Sequence, residues 1–316
     1  MEGGDAKRSA SFPSSFFSHI MNKIISKERV YAAVFAVLAF ACLFFLAGIT
    51  LVLFKEGLPL FGKIGLGDFL FGSRWYPTHE DAEYGILSLL TGSLWVTTGA
   101  MLVCLPLGIG SALYINEIAG DRQKAVLKPL VEILAGIPSI VFGFFGMVIV
   151  APFLQKLLHL PTGLCAFTAS LILGIMAVPA ICSLSEDALS YVPASYREAS
   201  LALGATRWET LIKVVLPAAG SGISTAAILG ISRIMGETMT VLMVSGGAAI
   251  IPHSFFQPVR PLTSTIAAEM GETAVGSMHY HALFAIALVL FTLTFIFNIA
   301  AEILSRRYRI KLGLQR

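Results

Sequence analysis

Long apolar runs alternate with short polar segments along this chain of 316 residues. A helix of about 20 apolar residues is long enough to cross the hydrocarbon core of a membrane. Runs of this length, each with at most one or two ionisable residues, cover residues 30–54, 86–115, 129–152, 164–185, 217–246 and 282–304. The pattern therefore predicts an all-α membrane protein, built as a bundle of six transmembrane helices.

The Lys and Arg residues outside the spans predict how the bundle is oriented. In membrane proteins these residues concentrate in the segments that stay in the cytoplasm. With both termini placed inside, Arg233 falls within a span and nearly all other basic residues are internal. The predicted outer segments hold only Lys55, Lys63, Arg74, Lys156 and Arg260. We therefore predict that both the N-terminus and the C-terminus are cytoplasmic.

The same pattern divides the chain into three parts. Residues 1–29 are predicted to form a flexible cytoplasmic arm, residues 30–304 the membrane domain, and residues 305–316 a cytoplasmic tail. No small-residue cleavage site follows the first span, so we expect it to be a retained anchor and not a secretory signal.

Composition excludes a water-soluble protein. The chain is 56% hydrophobic and 13% charged with a mean hydropathy of +0.81, whereas soluble domains carry about 25% charged residues. The four cysteines stand singly in apolar runs, so no disulfide or metal framework is expected. No nucleophile with a nearby base and no group of metal ligands is recognisable, which argues against a membrane enzyme. We expect no catalytic residue, metal or cofactor in this chain.

The predicted inner loop, residues 186–217, differs from the others because it contains two short helical segments. The first is opened by Pro193 and closed at Gly204, and the second covers residues 205–215 and is ended by Pro217. Two short helices across the inner face of a membrane would form a docking surface.

Fixed spacings within this loop carry the most specific signal. Glu198-Ala199-Ser200 is followed after three residues by Gly204, and after nine more by Val214-Val215-Leu216-Pro217. The segment resembles the EAA signature of importer-type ABC permeases, which reads E-A-A, three residues, G, nine residues, I, any residue, L-P. Ser200 replaces the second alanine and Val214 the isoleucine. The resemblance implies the importer-type ABC permease fold, with ATPase docking by Glu198, Ala199, Gly204, Leu216 and Pro217.

A permease of this kind has no ATP site of its own. The segment from Gly57 to Ile64 matches the phosphate-binding pattern G-x-x-x-x-G-K, but Ile64 replaces the Ser or Thr that ligates magnesium. The segment also follows a membrane span instead of a strand, so it is not a nucleotide site. ATP and Mg²⁺ are therefore expected in a partner ATPase.

Two charges lie within the fifth predicted span. Arg233 and Glu237 are four residues apart, a spacing that places them on one face of a continuous helix and lets them pair. Charges at this depth are costly and usually mark a pathway or lock helices together, and both interpretations stay open here. A guanidinium is well suited to binding an oxyanion through paired hydrogen bonds.

A proline interrupts the third predicted span. Pro138 removes one backbone hydrogen bond, and Ser139 could satisfy a freed group or line a cavity. Together with the segment Arg233–Met239 and with Trp75-Tyr76-Pro77, it resembles the phosphate-specific (Pst) branch of ABC importers. The resemblance is to the PstC-type permease rather than the sister PstA-type, and it implies a substrate pathway at Arg233, Glu237 and Ser139.

This resemblance implies a permease subunit that imports inorganic phosphate by alternating access in the bacterial cytoplasmic (inner) membrane. Its expected partners are a second permease of the PstA type, two PstB-type ATPase subunits and an external PstS-type phosphate-binding protein, with no nucleic acid. One alternative is an ABC permease for sulfate or molybdate. Another is an ion-coupled secondary transporter, which would show repeated halves with discontinuous helices.

Overall fold

The computed structural model of the protein describes residues 14–311. Over this range the fold is helical, apart from two short antiparallel strands, β1 (Trp75–Tyr76) and β2 (Glu83–Tyr84). The all-α prediction is confirmed. Residues 1–13 of the predicted arm and 312–316 of the predicted tail lie outside the described residues, and a helix begins at Ser14 within the arm.

Fourteen helical segments follow one another along the described part of the chain. Short π-helical turns at Tyr114–Ile118, Gly146–Val150 and Leu211–Val215 join some of them without interruption. The segments are α1 (Ser14–Phe61), α2 (Leu66–Phe71), α3 (Leu87–Leu113), α4 (Asp121–Ala135), α5 (Ser139–Phe145), α6 (Ala151–Leu157), α7 (Ala166–Ser190), α8 (Ala194–Ala202), α9 (Arg207–Thr210), α10 (Leu216–Ala218), α11 (Gly220–Met235), α12 (Met239–Val244), α13 (Leu262–Glu269) and α14 (Met278–Lys311).

Within residues 14–311, up to six segments are long and apolar enough to cross a membrane. One of the six is a pair of helices, Arg207–Ala218 and Gly220–Met235, bent by 68° at their junction. The five single segments are Val30–Phe61, Leu87–Ile118, Ser139–Leu157, Ala166–Ser190 and Met278–Ala300. Each predicted span overlaps one of the six segments, while the cytoplasmic position of both termini stays a prediction.

The third predicted span is not one helix, and its boundaries, 129–152, were wrong. Helix α4 ends at Ala135, and α5 begins at Ser139 after the break Gly136–Pro138. Proline lacks an N–H group and disfavours the helical conformation of the residue before it, so the helix ends ahead of Pro138. The apolar crossing segment starts at Ser139 and continues to Leu157.

The fifth predicted span, 217–246, is also broken. Helix α11 ends at Met235 with Gly236 as its cap, and α12 begins only at Met239. Glu237 therefore lies between two helices and not within one. The apolar run had suggested a continuous helix because hydrophobicity alone does not register a break of three residues.

Helices α3 and α7 pack closely because glycine lies where they touch. A Cβ atom added to Gly99 would come within 2.3 Å of Ser170 Oγ, and one on Gly174 within 2.7 Å of Val103 Cβ. Small residues allow membrane helices to approach in this way. The buried cluster around this contact includes Ala100, Leu173, Ala177, Ile181 and Val241.

The chain forms two compact units, Met1–Leu53 and Phe54–Arg316. The described part of the first unit is one helix, and over residues 30–53 its large apolar side chains are exposed, as expected for a surface that faces lipid. In the second unit, a further buried cluster contains Leu60, Phe69, Trp75, Leu262 and Leu283. This cluster packs α2, β1 and α13 against the first turns of α14.

The predicted helix pair of the inner loop is present with one correction. Helix α8 ends before Gly204, which has φ +85° and so makes the bend in a conformation that favours glycine. The second helix does not end before Pro217 but runs from Arg207 to Ala218. Pro217 directly follows the π turn Leu211–Val215 and Leu216, one residue before this helix ends.

Candidate functional site

The two helix breaks meet at the buried Thr240. Thr240 Oγ1 donates a hydrogen bond to the Ser139 carbonyl oxygen at 2.9 Å and lies 3.4 Å from Glu237 Oε1. The Thr240 backbone N–H also points to Glu237 Oε1, at 3.4 Å. The Glu237 carboxylate therefore sits beside the first turn of α12, where a negative charge is favoured by the helix dipole.

This junction lies at middle depth in the bundle. Thr240 Oγ1 is 3.8 Å from Met176 Sδ, and Met176 is about 15 Å along α7 from its first residue by the helical rise of about 1.5 Å per residue. Helix α7 is about 37 Å long by the same measure. Breaks at such a depth are tolerated only where protein groups or a cavity satisfy the freed backbone.

A third element stabilises the break at Glu237. Thr263 Oγ1, in the first turn of α13, donates a hydrogen bond to the Glu237 carbonyl oxygen at 2.8 Å. In a continuous helix this carbonyl would accept a hydrogen bond from a backbone N–H four residues later. Because α11 ends at Met235, that bond is not formed. Helix α13 thus takes part in the geometry of the break.

Arg233 lies in the last turn of α11 and is exposed. Among the described side chains, none forms an ion pair or hydrogen bond with its guanidinium. Arg233 and Glu237 form no ion pair in the described structure, because the helix ends between the two residues and their four-residue spacing no longer places them on one face. The adjacent Ser232 Oγ donates to Asn298 Oδ1 at 2.6 Å, which ties α11 to α14.

The structure thus brings Ser139 and Glu237 together through Thr240, and leaves Arg233 exposed four residues before Glu237 in the chain. A guanidinium without a partner is a strong donor of paired hydrogen bonds to an oxyanion. Placing an unpaired charge in a membrane span costs about 3 kcal/mol or more. This arrangement can hold an anion that supplies the missing partner.

The inner loop is anchored by Arg197 of α8. Its guanidinium forms an ion pair with Glu117 through Nε and Nη2, and Nη1 donates to the carbonyl oxygen of Val192 at 2.6 Å. Nη2 also donates to the carbonyl oxygen of Leu189 at 3.2 Å. Since Glu117 belongs to the π turn after α3, the orientation of α8 is tied to the ends of two spans, α3 and α7.

The two short helices of the loop are also joined to each other. The hydroxyl groups of Ser200 and Thr210 are 2.9 Å apart, and both residues are buried. Thr206 caps the second helix by accepting from the Glu209 backbone N–H at 3.2 Å. The Thr206 backbone N–H and hydroxyl, together with Lys213, hold the pKa of the Glu209 carboxyl below its usual range.

Most of the predicted docking residues of this loop are exposed. Glu198 and Ala199 lie exposed on α8, Gly204 is exposed at the bend, Pro217 is exposed on α10 and Leu216 is half-buried. Between them, Leu203 is 89% exposed and Trp208 is 66% exposed. Large apolar side chains that are this exposed often mark a protein interface. The predicted docking residues therefore border a surface that a partner can cover.

Replacing Ser200 by alanine, the residue of the EAA pattern, is expected to destabilise the protein. It would leave the buried Thr210 hydroxyl without its partner, at a cost of about 1 kcal/mol or more. We expect the midpoint of thermal unfolding in detergent to fall by about 2 to 4 °C. The double variant Ser200→Ala, Thr210→Val removes both hydroxyls and should recover most of this loss, whereas an equally unstable double variant would contradict the assignment.

Sequence reasoning missed the residues that hold these sites together. Thr240 joins the two breaks, and Glu117 with Arg197 anchors the loop, but they contact residues 101 and 80 positions away in the chain. No spacing rule connects residues so far apart. The only signal was that Glu117 is a carboxylate at the end of an apolar run.

Residues 104–310 match the family described as "Binding-protein-dependent transport system inner membrane component". The chain is 39% identical over 264 residues to the "Probable ABC transporter permease protein YqgH" of Bacillus subtilis, covering 83% of this chain and 85% of that protein. It is 32% identical to the "Phosphate transport system permease protein PstC" of Mesorhizobium japonicum, covering 90% and 92% respectively.

Solved structures share the same fold. A chain of a bacterial alginate ABC transporter, solved in complex with an alginate pentasaccharide-bound periplasmic protein, superposes with a TM-score of 0.64 at 16% identity, covering 90% of this chain and 96% of that chain. A chain of the MetNI methionine ABC transporter, in an inward-facing conformation, superposes with a TM-score of 0.52 at 23% identity, covering 71% and 94%.

Proposed function

Because this chain belongs to the family of binding-protein-dependent transport system inner membrane components, and is a permease subunit of an ABC importer, we propose that its substrate is inorganic phosphate. The single observation that carries the choice of phosphate is the similarity to the PstC protein of Mesorhizobium japonicum, a phosphate transport permease, over 90% of this chain. Arg233, which has no partner among the described side chains, agrees with an anionic substrate.

The proposed pathway passes the junction of the two helix breaks. Arg233 would bind phosphate through two parallel hydrogen bonds from its planar guanidinium. Glu237, held near Thr240, would set the negative potential that releases the anion once the helices move. Ser139 contributes its backbone carbonyl to the contact with Thr240 and its position at the start of α5. In alternating access, motion of α11 against α12 at this break would open one side and close the other.

The inner loop is the proposed docking surface of the ATPase. Glu198, Ala199 and Gly204 border the exposed Leu203 and Trp208, and exposed apolar side chains on a helix pair suit binding in a partner's groove. Arg197 couples movement of α8 to the spans, because its guanidinium is bonded to residues at the ends of α3 and α7. ATP and Mg²⁺ would be bound by that partner and not by this chain.

The remaining proposed partners complete the transporter. A second permease of the PstA type would cover the exposed face that carries Arg233, two PstB-type ATPases would bind the inner loops, and a PstS-type protein would deliver phosphate from outside. The solved alginate transporter, which holds a periplasmic protein, supports the general arrangement. The N-in, C-in orientation is part of this proposal.

Competition among anions tests the choice of substrate. In cells that contain the partner subunits, uptake of radiolabelled phosphate through this permease should be suppressed by excess unlabelled phosphate and not by equal sulfate or molybdate. Absence of labelled phosphate uptake together with uptake of labelled sulfate or molybdate would replace phosphate by that oxyanion. When a site is built to hydrogen-bond one oxyanion, a different oxyanion leaves some of the site's polar groups without partners. We therefore expect phosphate to be preferred over the other two anions at least about tenfold.

The two helix breaks alone would also suit an ion-coupled secondary transporter, whose binding sites lie at discontinuous helices. Membership of the binding-protein-dependent family argues against that alternative. Uptake into vesicles supplied with ATP but without an ion gradient separates the two, since a secondary transporter would take up nothing under this condition.

A further inference from the structure

A carboxylate at the end of α13 joins three other segments of the chain. Glu269 accepts hydrogen bonds from Trp75 Nε1 through both oxygens, at 3.1 and 3.0 Å. It forms an ion pair with Arg260 Nη1 at 2.7 Å and lies 2.8 Å from His279 Nε2. Trp75 is 2% exposed and the Glu269 side chain 17% exposed. Hydrogen bonds so sheltered from water hold their partners in a defined geometry.

The other end of α13 reaches the broken fifth span. Thr263 Oγ1 donates to the Glu237 carbonyl oxygen at 2.8 Å, and the Leu262 backbone N–H donates to Ser93 Oγ at 2.9 Å. Both residues of this first turn are buried. A helix of eight residues is about 12 Å long and behaves as a rigid rod over that length. Helix α13 therefore connects the carboxylate of Glu269 to the backbone of Glu237.

We propose that Glu269 is a positioning residue for the substrate pathway. It fixes the far end of α13, and α13 holds the backbone of Glu237 through Thr263. The inference rests on the proposed role of Glu237 in transport. Its physical basis is that the Glu237 carbonyl is freed by the helix break, and an unpaired carbonyl in an apolar bundle is costly. Displacement of α13 would break the Thr263 bond and let the segment Gly236–Thr238 reorient.

The segments that Glu269 joins lie on the face predicted to be external. Trp75 belongs to the loop after the first span, Arg260 precedes α13, and His279 is in the first turn of α14. They line a cavity of about 470 Å³ with Glu272. An external event that disturbs these contacts would reach Glu237 along α13.

A double-mutant cycle on the assembled transporter tests this proposal. The variants are Glu269→Gln, Thr263→Val and the two combined, and the readout is the initial rate of uptake of whichever oxyanion the wild-type permease imports. We expect each single variant to lose about fivefold, and the double variant to be no slower than the slower single one, because both changes break one connection. A double variant whose fractional rate equals the product of the two single ones would overturn the proposal, as would full activity of either single variant.

A matched control is Glu272→Gln. Glu272 lines the same cavity and its carboxylate has no ion pair or hydrogen bond among the described side chains, so its uptake rate should equal that of wild type. Co-purification of the partner subunits reports assembly. If the Glu269→Gln variant assembles poorly, Trp75→Phe takes its place in the cycle. This change removes the indole N–H that bonds Glu269 and keeps an aromatic ring. The rates of Trp75→Phe and Thr263→Val should then be non-additive in the same way.

The outcome separates this inference from the proposed function. If the permease imports sulfate instead of phosphate, the choice of substrate fails and the cycle is measured with sulfate. If Glu237→Gln transports at the wild-type rate, the pathway role of Glu237 fails, and the positioning role with it. If Glu237→Gln is inactive but the cycle is additive, only the positioning role of Glu269 is wrong.

Discussion

Replacing Arg233 by glutamine is expected to reduce phosphate uptake by about 100-fold or more while the complex still assembles. Glutamine keeps hydrogen-bonding atoms but removes the charge and the planar fork that can bond two oxygens of one anion. Two charge-assisted hydrogen bonds contribute about 3 kcal/mol together, which corresponds to about 100-fold in affinity. The side chain is exposed and has no partner among the described side chains, so its loss should not destabilise this subunit. Uptake of labelled phosphate and co-purification of the partner subunits measure the two effects.

Two variants serve as controls for this experiment. Arg233→Lys keeps the charge and loses the fork, and should retain partial activity at a raised apparent KM. Arg122→Gln changes an exposed arginine of α4, outside the junction, and should transport like wild type. Normal uptake by Arg233→Gln would show that the pathway does not use this side chain, and a loss of assembly would instead assign Arg233 a role in binding the second permease.

Reversing the charge of Glu198 is expected to uncouple ATP hydrolysis from transport. In Glu198→Lys the exposed carboxylate of α8 becomes a cation on the proposed ATPase surface. Like charges brought together at an interface cost several kcal/mol, so we expect uptake to fall at least about tenfold. Stimulation of ATP hydrolysis by the loaded binding protein should fall with it. Both rates can be measured in proteoliposomes that contain the whole transporter.

The matched control is Glu132→Lys, which reverses an exposed carboxylate on α4 outside the docking loop. It should leave both uptake and stimulated hydrolysis near the wild-type values. If Glu198→Lys keeps uptake and hydrolysis coupled, the ATPase does not dock through this part of α8. A charge-reversed partner residue that restores coupling would in turn identify the contact on the ATPase.

The crossing segments and the docking loop could be recognised without a structure. The length of an apolar run is set by membrane thickness, so composition and spacing are sufficient to locate it. The helix pair of residues 194–218 was predicted because proline and glycine affect backbone conformation locally. Its prediction failed only at Pro217, where a π turn precedes the proline and the helix continues.

The helix breaks were only partly predictable. Pro138 predicted a lost hydrogen bond, but the apolar run on both sides suggested one span over 129–152. At Gly236 no proline was present, and an apparent four-residue pair of Arg233 and Glu237 suggested a continuous helix. A break depends on whether other elements can satisfy the freed groups, and here Thr240 and Thr263 do so from positions that no local pattern identifies.

The amino-acid sequence by itself therefore determined that the protein spans a membrane, approximately where it does so, and which loop has the ATPase-docking pattern. These properties follow from hydrophobic length and from short-range backbone preferences. Only the tertiary structure decided that Arg233 and Glu237 lie on separate elements, and that Glu269 is connected to Glu237 through α13. Those contacts join residues far apart in the chain, and their energies depend on burial and on hydrogen-bond partners that exist only once the helices have packed.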